Sequence, residues 1–501
     1  MKFKKENWHS LNWQTAFSGE EIEIEDITSD SRQAKEKSAF FSFDGTVHKG
    51  KDFVFEALEK KTAAVFVDSK YRDEVENHEN FAKELPVFFA SDFSDTSAKT
   101  ISFLSGDPAE AMSLIAVTGT NGKTTITQAI YSVINMMNEK AACIGTLGMY
   151  FHDEVLPSNL TTPGIIELYK TLKKAKEKEA KYTAMEVSSH GLSQGRVKNL
   201  SWSAGVFTNL TPDHLDYHQT MENYFESKKE LFQIMLENSA KAKGAVICVN
   251  DEYGMRMANW LKEKNPPFSV ILLGKDGDAS LENITPSWEG YSVDLRFEGQ
   301  VYNLKTLMTG IFNLYNMSSV FLTLKLLGFN ENTVLEKIAL VQPPPGRMEI
   351  IHAKGGRKIV IDYSHTPDAL ENALKTLREL GPRKIITVFG CGGNRDKEKR
   401  PIMAEAASRL SDFVIITNDN PREEDPKEIV NDILKGDIRA EHDIIYDRKE
   451  AIAMGIKKLG RNDCLLIAGK GHENYQIIGK EKRHFDDKET AEELLKKIIL
   501  V

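Results

Sequence analysis

A glycine-rich segment between an apolar run and an amphipathic run constrains the fold of this chain more than any other feature. The apolar run, Met112 to Val117, is typical of a buried β-strand, and it leads into Gly119-Thr120-Asn121-Gly122-Lys123-Thr124-Thr125. After this segment, apolar residues recur with the spacing of one helix face. They are Ile126, Ala129, Ile130, Val133, Ile134 and Met137. The order strand, glycine loop, helix predicts an α/β fold.

The same segment has the features of a phosphate-binding loop. Unpaired N–H groups and the helix dipole attract an anion to a helix N-terminus, and glycine lets the backbone approach it closely. Lys123 is placed to reach the terminal phosphates of a nucleotide, and the Thr124 hydroxyl to hold a magnesium ion. Val117 stands where the common pattern has its first glycine, so the loop is a variant of that pattern.

Composition narrows the class of protein. A chain of 501 residues with 41% hydrophobic residues is long enough for about three domains. The formal net charge of −9 argues against a nucleic-acid-binding surface. The sequence predicts a cytoplasmic protein without a membrane segment, and we expect a monomer. The cysteines, Cys143, Cys248, Cys391 and Cys464, lack metal-ligand spacing, so we expect buried, reduced thiols.

Three regions can be distinguished along the chain. Residues 1–111 form a small α/β unit, and residues 112–342 begin with the glycine loop and then alternate helices with strands. The prolines 343–345 predict a linker at 341–346, because they fit neither a helix nor a paired strand. In residues 343–501, strand-like runs alternate with helices, as in an open, mostly parallel sheet. These runs are 358–363, 384–389, 413–417 and 464–468.

Two further groups of polar residues carry potential chemistry. Glu186 lies near the carboxyl end of a predicted strand, 182–187, where nucleotide enzymes place a metal ligand or a base. The segment 208–218 contains His214, and an amphipathic helix follows with Lys228. By residue type alone, His214 could equally be a hydrogen-bonded structural histidine. Lys228 could equally be a solvent-exposed lysine on the surface of the helix.

Residues 390–393 could suggest a nicotinamide site. Gly390-Cys391-Gly392-Gly393 follows a predicted strand, but Arg395 stands where the dinucleotide fingerprint needs its third glycine. We therefore reject that interpretation.

Six motifs together resemble the Mur ligases, the ATP-dependent amide ligases that build the peptide stem of bacterial cell-wall precursors. They are GTNGKTT at 119–125, AMEVSSHGL at 184–192, TNLTPDHLDYH at 208–218, GIFNLYN at 310–316, PGRME at 345–349 and DYSHTP at 362–367. Together with DNPR at 419–422 and GKGHE at 469–473, the second motif resembles members that add the third stem residue.

The resemblance implies three domains. Residues 1–111 would be a small N-terminal α/β domain that binds the uridine of a UDP-sugar. Residues 112–342 would be a central P-loop ATPase domain with a mixed sheet, and 343–501 a C-terminal Rossmann-like domain that binds the amino acid.

The resemblance also implies the reaction and its metal. ATP phosphorylates a substrate carboxylate, and an amine attacks the acyl phosphate to give an amide and phosphate. Such chemistry depends on alignment and charge neutralisation. Lys123, Glu186, His214 and Lys228 would be catalytic, with Mg²⁺ held by Thr124, Glu186, His214 and Lys228. Lys228 matches a lysine that is carbamylated in the family, and a carbamate offers anionic oxygens to a hard cation.

Binding residues follow from the same resemblance. ATP would contact the glycine loop together with Asn313, Arg347 and Asp362. UDP-N-acetylmuramoyl-L-alanyl-D-glutamate would contact Ser31, Thr161, Thr162, Ser188, Gln194 and Arg196. The diamino acid would contact Arg395, Asp419, Asn420, Pro421, Arg422, Gly469 and Glu473.

The identity of the amino acid depends on Arg422. An arginine can form a charge-assisted bidentate pair with the second carboxylate of meso-2,6-diaminopimelate. Lysine lacks that carboxylate, so the same arginine would stay unpaired with lysine bound. Diaminopimelate is therefore the expected substrate. L-lysine and a close analogue such as lanthionine stay open as alternatives. A ligase of the folylpolyglutamate synthetase type, which shares the phosphate loop but lacks the 184–192 and 419–422 motifs, and a regulatory nucleotide-binding module are less well supported.

Overall fold

The computed structural model of the protein describes residues 1–45 and 48–498. These residues divide into two compact units, each built from several chain segments. The first contains residues 1–116, 139–203 and 230–242, and the second contains 117–138, 204–229 and the described residues from 243 onward. The division into domains at 111/112 and 342/343 remains a prediction.

Short strands and helices make up residues 1–112. The strands are β1 (Lys2–Lys4), β2 (Glu21–Glu23), β3 (Asp26–Thr28), β4 (Ser38–Phe41), β5 (Ala64–Asp68) and β6 (Val87–Ala90). The helices are α1 (Lys5–Ser10), α2 (Val54–Glu59), α3 (Arg72–Glu76) and α4 (Phe93–Ser105).

Residues 113–342 alternate strands and helices. The strands are β7 (Ser113–Thr118), β8 (Ala141–Gly145), β9 (Gly148–Phe151), β10 (Glu154–Leu156), β11 (Tyr182–Glu186), β12 (Trp202–Phe207), β13 (Gly244–Cys248), β14 (Ser269–Leu273), β15 (Ala279–Ser287), β16 (Gly290–Phe297) and β17 (Gln300–Thr306). The helices are α5 (Lys123–Met136), α6 (Ile165–Glu177), α7 (Ser189–Ser193), α8 (Leu215–His218), α9 (Met221–Glu237), α10 (Glu252–Lys264), α11 (Ile311–Leu326) and α12 (Glu331–Ile338).

The remaining elements follow the predicted linker 341–346, which lies between α12 and the next strand. The strands are β18 (Glu349–Ala353), β19 (Arg357–Asp362), β20 (Ile385–Phe389), β21 (Phe413–Ile416), β22 (Glu441–Ile444), β23 (Cys464–Ala468), β24 (Tyr475–Ile478) and β25 (Glu481–His484). The helices are α13 (Pro367–Glu379), α14 (Lys399–Leu410), α15 (Pro426–Ile433), α16 (Arg448–Lys458) and α17 (Asp487–Ile498).

In the first unit, β3 to β6 form a parallel sheet in sequence order, and β1 pairs with β2 in antiparallel fashion. Aromatic side chains fill its N-terminal core: the Phe66 and Phe88 rings stack at 5.2 Å, and Trp8 lies 5.4 Å from Phe88. The same unit holds β8 paired in parallel with β11, and β8–β9–β10 in antiparallel order. This mixture of pairings matches the predicted α/β character.

In the second unit, β12, β13 and β14 are parallel, whereas β15, β16 and β17 are antiparallel. A mixed sheet was expected for the central region, and this pairing confirms it. Helix α11 packs on β13 and on α5. It is buried on most of its surface, which explains its nearly unbroken apolar sequence.

The C-terminal sheet has the strand order β18-β19-β23-β20-β21-β22 and is parallel except for β18. The predicted open, mostly parallel sheet is therefore confirmed, and the ends of the four predicted strands are shifted by at most one residue. Parallel neighbours bring their carboxyl ends to one edge, so the segments that follow β19, β20, β21 and β23 meet there. Separate apolar clusters cover the sheet, one including Leu374 and Met403 and the other Ile452 and Ala491.

The cysteine side chains are buried, as predicted. Among the described helices, none is both long enough and apolar enough to cross a bilayer.

Candidate active site

The glycine loop joins β7 to α5, as the sequence predicts. Gly122 has φ +88°, and a Cβ at this position would lie 2.5 Å from Asn316 Oδ1. Glycine is therefore required both by the backbone conformation and by the close approach of α11. The Lys123 ammonium folds back over the loop and donates to the carbonyls of Gly119 and Thr120, at 2.8 Å each.

The 208–218 segment stabilises this loop through hydrogen bonds. Thr120 N–H donates to the Asn209 carbonyl at 2.9 Å, and Asn121 N–H donates to Asn209 Oδ1 at 2.9 Å. Thr208 Oγ1 donates to the Asn121 carbonyl at 2.6 Å. The loop conformation is thus held by side chains about 90 residues away, and local sequence alone does not explain it.

A cavity of about 590 Å³ opens beside the loop, within the range of small-molecule sites. It brings together six residues predicted to bind ATP: Asn121, Gly122, Thr125, Asn313, Arg347 and Asp362. Thr124 is buried beside it, and its hydroxyl lies 3.4 Å from Arg347 Nη2. The Arg347 guanidinium also lies over the Tyr363 ring, at 4.6 Å.

Asp362 ends β19, and its carboxylate is largely buried. It accepts hydrogen bonds from Met348 N–H at 2.7 Å, from Ser364 N–H at 3.0 Å and from the Ser364 hydroxyl. Burial raises the pKa of Asp362 in spite of these donors. Asn313 donates to the Thr309 carbonyl at 2.8 Å and accepts from Asn316 at 2.9 Å, so both of its amide atoms are oriented.

Lys228 lies on α9, with 1% of its surface exposed. Its Nζ donates to the Gly119 carbonyl at 2.8 Å, the same oxygen that Lys123 contacts, and lies 4.5 Å above the Tyr224 ring. Burial lowers the pKa of Lys228 well below its ordinary value, and the charge of Lys123 lowers it further. Lys228 is therefore not a solvated surface lysine, and its burial favours the neutral form of the amine over the ammonium.

His214 precedes α8 with φ +55°, and its side chain is 46% exposed. Its Nε2 lies 3.5 Å from Asp213 Oδ2. Although burial opposes it, the pKa of Asp213 is lowered by His214, His365, Lys399 and Lys123. Asp213 is therefore held in its anionic form, with Lys123 and Lys399 among the charges that favour it, and sequence analysis did not select this residue.

Glu186 lies in the first unit, at the end of β11, and is buried. Its carboxylate accepts from Thr146 N–H at 2.9 Å and from Thr146 Oγ1 at 3.1 Å. The Thr146 hydroxyl lies 3.1 Å from Thr161 Oγ1, and Thr162 Oγ1 donates to the Glu186 carbonyl at 2.9 Å. Glu186 and the two predicted substrate threonines therefore belong to one hydrogen-bonded network.

The other predicted contacts of the UDP-sugar substrate continue this network. Thr162 Oγ1 accepts from Ser188 N–H at 2.9 Å, and the Thr162 carbonyl accepts from Arg196 Nη1 at 2.7 Å. Arg196 also donates twice to Gln194 Oε1, at 2.6 and 3.0 Å. Ser31 lies in a separate part of the unit, in the turn Ser31–Gln33, where it donates to Glu56 at 2.8 Å.

The predicted amino-acid residues gather at the carboxyl edge of the C-terminal sheet. Asn420 Nδ2 donates to Glu473 Oε2 at 2.8 Å, and Asp419 Oδ2 lies against Gly469. The Gly469 N–H donates to the Asp362 carbonyl at 3.1 Å, which joins this group to the nucleotide cavity. Pro421 is buried between Asn420 and Arg422.

The two predicted arginines flank Gly392. A Cβ at Gly392 would lie 3.0 Å from Arg422 Nη1 and 3.7 Å from Arg395 Cγ. Arg422 is partly buried and donates to the Gly393 carbonyl at 2.9 Å, whereas Arg395 is exposed. The glycines of 390–393 have a packing role, since a Cβ at Gly393 would lie 1.9 Å from the Pro421 carbonyl.

Sequence reasoning missed several residues of these sites. Lys470 is fully buried, and its ammonium lies 3.2 Å from Asn420 Oδ1 and 3.3 Å from Glu473 Oε2. Arg400 is fully buried and pairs with both Glu424 oxygens at 2.8 Å, next to the 419–422 loop. Lys470 was detectable because it lies inside the 469–473 motif, whereas Arg400 has no local signal.

Comparisons with known proteins show which family the chain resembles. Residues 117–324 match the Mur ligase middle domain, and residues 346–471 match the domain described as "Mur ligase, glutamate ligase domain". The UDP-N-acetylmuramoyl-L-alanyl-D-glutamate--2,6-diaminopimelate ligase of Vibrio parahaemolyticus is 41% identical over 94% of each chain. The protein with the same name from Vibrio vulnificus is 38% identical over 95% of each chain.

A solved structure supports the same relationship. A structure of a UDP-N-acetylmuramoyl-L-alanyl-D-glutamate--2,6-diaminopimelate ligase superimposes on this chain with a TM-score of 0.67 and 30% identity. The match covers 95% of both chains.

Proposed function

This chain belongs to the Mur ligase family, and from that premise we propose that it is the MurE-type ligase that adds meso-2,6-diaminopimelate to UDP-N-acetylmuramoyl-L-alanyl-D-glutamate. The reaction is driven by ATP and serves peptidoglycan precursor synthesis. The observation that carries this proposal is the set of residues around Arg422. Its partly buried guanidinium donates to the Gly393 carbonyl, and the neighbouring Asn420 side chain donates to Glu473. Gly469 donates to the carbonyl of Asp362 in the nucleotide cavity.

The first step transfers the γ-phosphoryl group. A carboxylate oxygen of the dipeptide attacks the γ-phosphorus, the bond to the bridging oxygen breaks, and ADP leaves. Lys123 and the N–H groups of the loop would stabilise the charge that develops on the phosphoryl oxygens. Arg347, between Thr124 and Tyr363, would contact the same phosphates, while Asn313 and Asp362 would orient the base and the ribose.

The second step forms the amide. The amine of the diamino acid loses a proton and attacks the acyl carbon, and the tetrahedral intermediate expels inorganic phosphate. Asp419, Asn420 and Glu473 would bind the amino-acid head that is not attacking, and Arg422 would pair with its carboxylate. A substrate without that carboxylate leaves a partly buried guanidinium unpaired, which disfavours lysine.

A modified lysine fits the environment of Lys228. A neutral amine can attack CO₂, which forms an N–C bond and releases a proton, whereas an ammonium cannot. Burial and the neighbouring Lys123 both favour the neutral amine, and the resulting carbamate would place a negative charge beside Lys123. We therefore propose that Lys228 functions as a carbamate.

We also propose a magnesium site. Thr124, Glu186, His214 and carbamylated Lys228 would hold Mg²⁺, which when bound neutralises negative charge on the phosphates. Hydroxyl, carboxylate and carbamate oxygens are the ligands that this ion prefers. Thr124 and Glu186 are both buried.

The UDP-sugar dipeptide would lie along Thr161, Thr162, Ser188, Gln194 and Arg196, with its uridine at Ser31. We further propose a monomeric enzyme that works in the cytoplasm, where ATP and nucleotide-activated precursors are made. Sedimentation equilibrium tests the monomer.

The direct test is phosphate release with a fixed nucleotide-sugar dipeptide and a panel of amino acids. We expect release to require ATP, the dipeptide and meso-diaminopimelate together, with lysine at least about 100-fold less effective in kcat/KM. Arg422→Ala should raise the KM for diaminopimelate while the KM for ATP stays within about twofold. Equal use of lysine by the wild-type enzyme, or an unchanged KM for diaminopimelate in Arg422→Ala, would contradict the assignment.

A further inference from the structure

The β24–β25 hairpin follows the 469–473 motif and lies against the 419–422 loop. We propose that this hairpin is a specificity-determining part of the amino-acid pocket, and that Gln476 and Lys470 are positioning residues for Asn420 and Arg422. The inference rests on the proposed function, because it deepens the role of that pocket.

The hairpin hydrogen-bonds to three of the four residues of the loop. Gln476 Nε2 donates to the Asp419 carbonyl at 2.8 Å, and Ile477 N–H donates to Asn420 Oδ1 at 2.9 Å. Arg422 N–H donates to the Ile477 carbonyl at 3.0 Å, and Gly479 N–H donates to the Arg422 carbonyl at 2.7 Å. Pro421, the fourth residue, has no N–H to offer. The loop therefore pairs with β24 in the manner of an additional strand, through a parallel bridge between Arg422 and Ile478.

These bonds hold Arg422 in an unfavourable backbone conformation. Its φ is +53°, in the left-handed region that non-glycine residues seldom adopt. The hydrogen bonds to its N–H and its carbonyl lie on the two sides of this dihedral angle. They therefore oppose relaxation of the backbone, which would swing the guanidinium away from the Gly393 carbonyl.

Lys470 acts on the same loop from the interior. Its ammonium is 0% exposed and lies between Asn420 Oδ1 and Glu473 Oε2, with the Tyr475 ring at 5.5 Å. Because Asn420 Oδ1 accepts from both Lys470 and Ile477, its Nδ2 must face Glu473. One orientation of the amide is thereby selected, and an amino-acid head meets a fixed pattern of donors and acceptors.

The consequence is that hairpin residues control amino-acid selection without touching the reacting atoms. The Gln476 side chain donates to the main chain of Asp419, two residues before Pro421 and three before Arg422. Loss of this bond frees the loop at the end opposite Gly479. A looser loop weakens the pairing of Arg422 with the distal carboxylate, and it should leave phosphoryl transfer unchanged.

The test compares Gln476→Leu and Gln476→Glu with a matched control in the same hairpin. Neither replacement can donate to the Asp419 carbonyl, and Gln476→Glu retains the polarity and size of the side chain. The control is Arg483→Leu, since Arg483 is 58% exposed and pairs with Glu481, on its own strand. A second comparison is Lys470→Met against Lys488→Met, whose lysine pairs with Glu349 and is 45% exposed.

Three quantities are measured on each full-length variant. They are the KM for meso-diaminopimelate, the preference for meso-diaminopimelate over lysine in kcat/KM, and acyl phosphate formation from ATP and the dipeptide, trapped with hydroxylamine in the absence of amino acid. For both Gln476 variants we expect the KM to rise about tenfold and the preference to fall by a similar factor. Acyl phosphate formation should stay within twofold of wild type, and both controls should behave as wild type.

Several outcomes would overturn the proposal. They are an unchanged KM and preference in both Gln476 variants, an equal change in Arg483→Leu, or a parallel loss of acyl phosphate formation, which would indicate general damage to the fold. A failure of the proposed function would look different, because wild-type phosphate release would then not depend on diaminopimelate. Lys470→Met adds a separate check, since a larger effect on KM than that of Lys488→Met is required.

Discussion

The buried ion pair between Arg448 and Asp487 offers a quantitative test of how the amino-acid pocket is supported. Both side chains are 0% exposed, and the guanidinium donates from Nε and Nη2 to the two carboxylate oxygens at 2.7 Å each. Arg448 also donates to the carbonyls of Ala468 at 3.0 Å and Asn418 at 3.4 Å. These residues directly precede the 469–473 and 419–422 motifs, so one guanidinium joins the bases of both segments.

Arg448→Leu should strongly destabilise this part of the chain. Removal of one partner from a buried pair leaves an uncompensated charge and typically costs about 3–5 kcal/mol. For a cooperative unit of about 150–250 residues, 1 kcal/mol corresponds to about 2–4 °C, so the midpoint of its thermal transition should fall by about 10 °C. The double variant Arg448→Leu/Asp487→Leu should recover most of this loss, because no buried charge is left without a partner.

The structure supplies a matched control on the same two helices. Lys449 and Glu493 pair at 3.1 Å across α16 and α17, but both are about half exposed. Lys449→Leu should therefore change the free energy of unfolding by about 1 kcal/mol or less. Differential scanning calorimetry and urea unfolding of all three variants provide the measurement. Equal effects of Arg448→Leu and Lys449→Leu, or a double variant as unstable as Arg448→Leu, would refute the reasoning.

Three further predictions concern the nucleotide site, the lysine and the pH dependence. Gly122→Ala should raise the KM for ATP by about tenfold or more, because the new Cβ meets Asn316 Oδ1 at 2.5 Å and φ is +88°; a KM equal to that of wild type would contradict the role of the loop. Lys228→Ala should lower kcat by about 100-fold or more and respond to added short carboxylic acids, and wild-type activity should fall when CO₂ is removed; a fully active variant would exclude the carbamate. Burial, with Arg347 and His365 nearby, lowers the pKa of His472 from 6.5 to about 4. As the pH falls, the unfolded chain therefore binds a proton at this residue before the folded chain does. The free energy of unfolding should accordingly decrease as the pH drops from about 6.5 to about 4. His472→Phe should flatten that part of the stability profile by up to about 3 kcal/mol, and identical slopes for both proteins would argue against a neutral, buried imidazole.

Local sequence determined much of the architecture. The strand, glycine loop and helix at 112–137 were predictable because alternating and helical apolar spacing and the need for left-handed glycine are properties of neighbouring residues. The four predicted C-terminal strands could be placed to within one residue for the same reason. The six motifs between residues 119 and 367 together indicated the family, which the comparisons confirm.

Tertiary structure decided how the chemically important groups are tuned. In the sequence, Lys228 is an ordinary helix lysine, and only its burial in the folded chain, together with the nearby charge of Lys123, explains a lowered pKa. Arg400 and Arg448 carry no local signal, because their partners lie 24 to 39 residues away. Similarly, the hairpin bonds to the 419–422 loop join segments more than 50 residues apart. Burial and the approach of like or opposite charges depend on the folded chain as a whole. For that reason the sequence could predict candidate site residues but could not determine their ionisation or orientation.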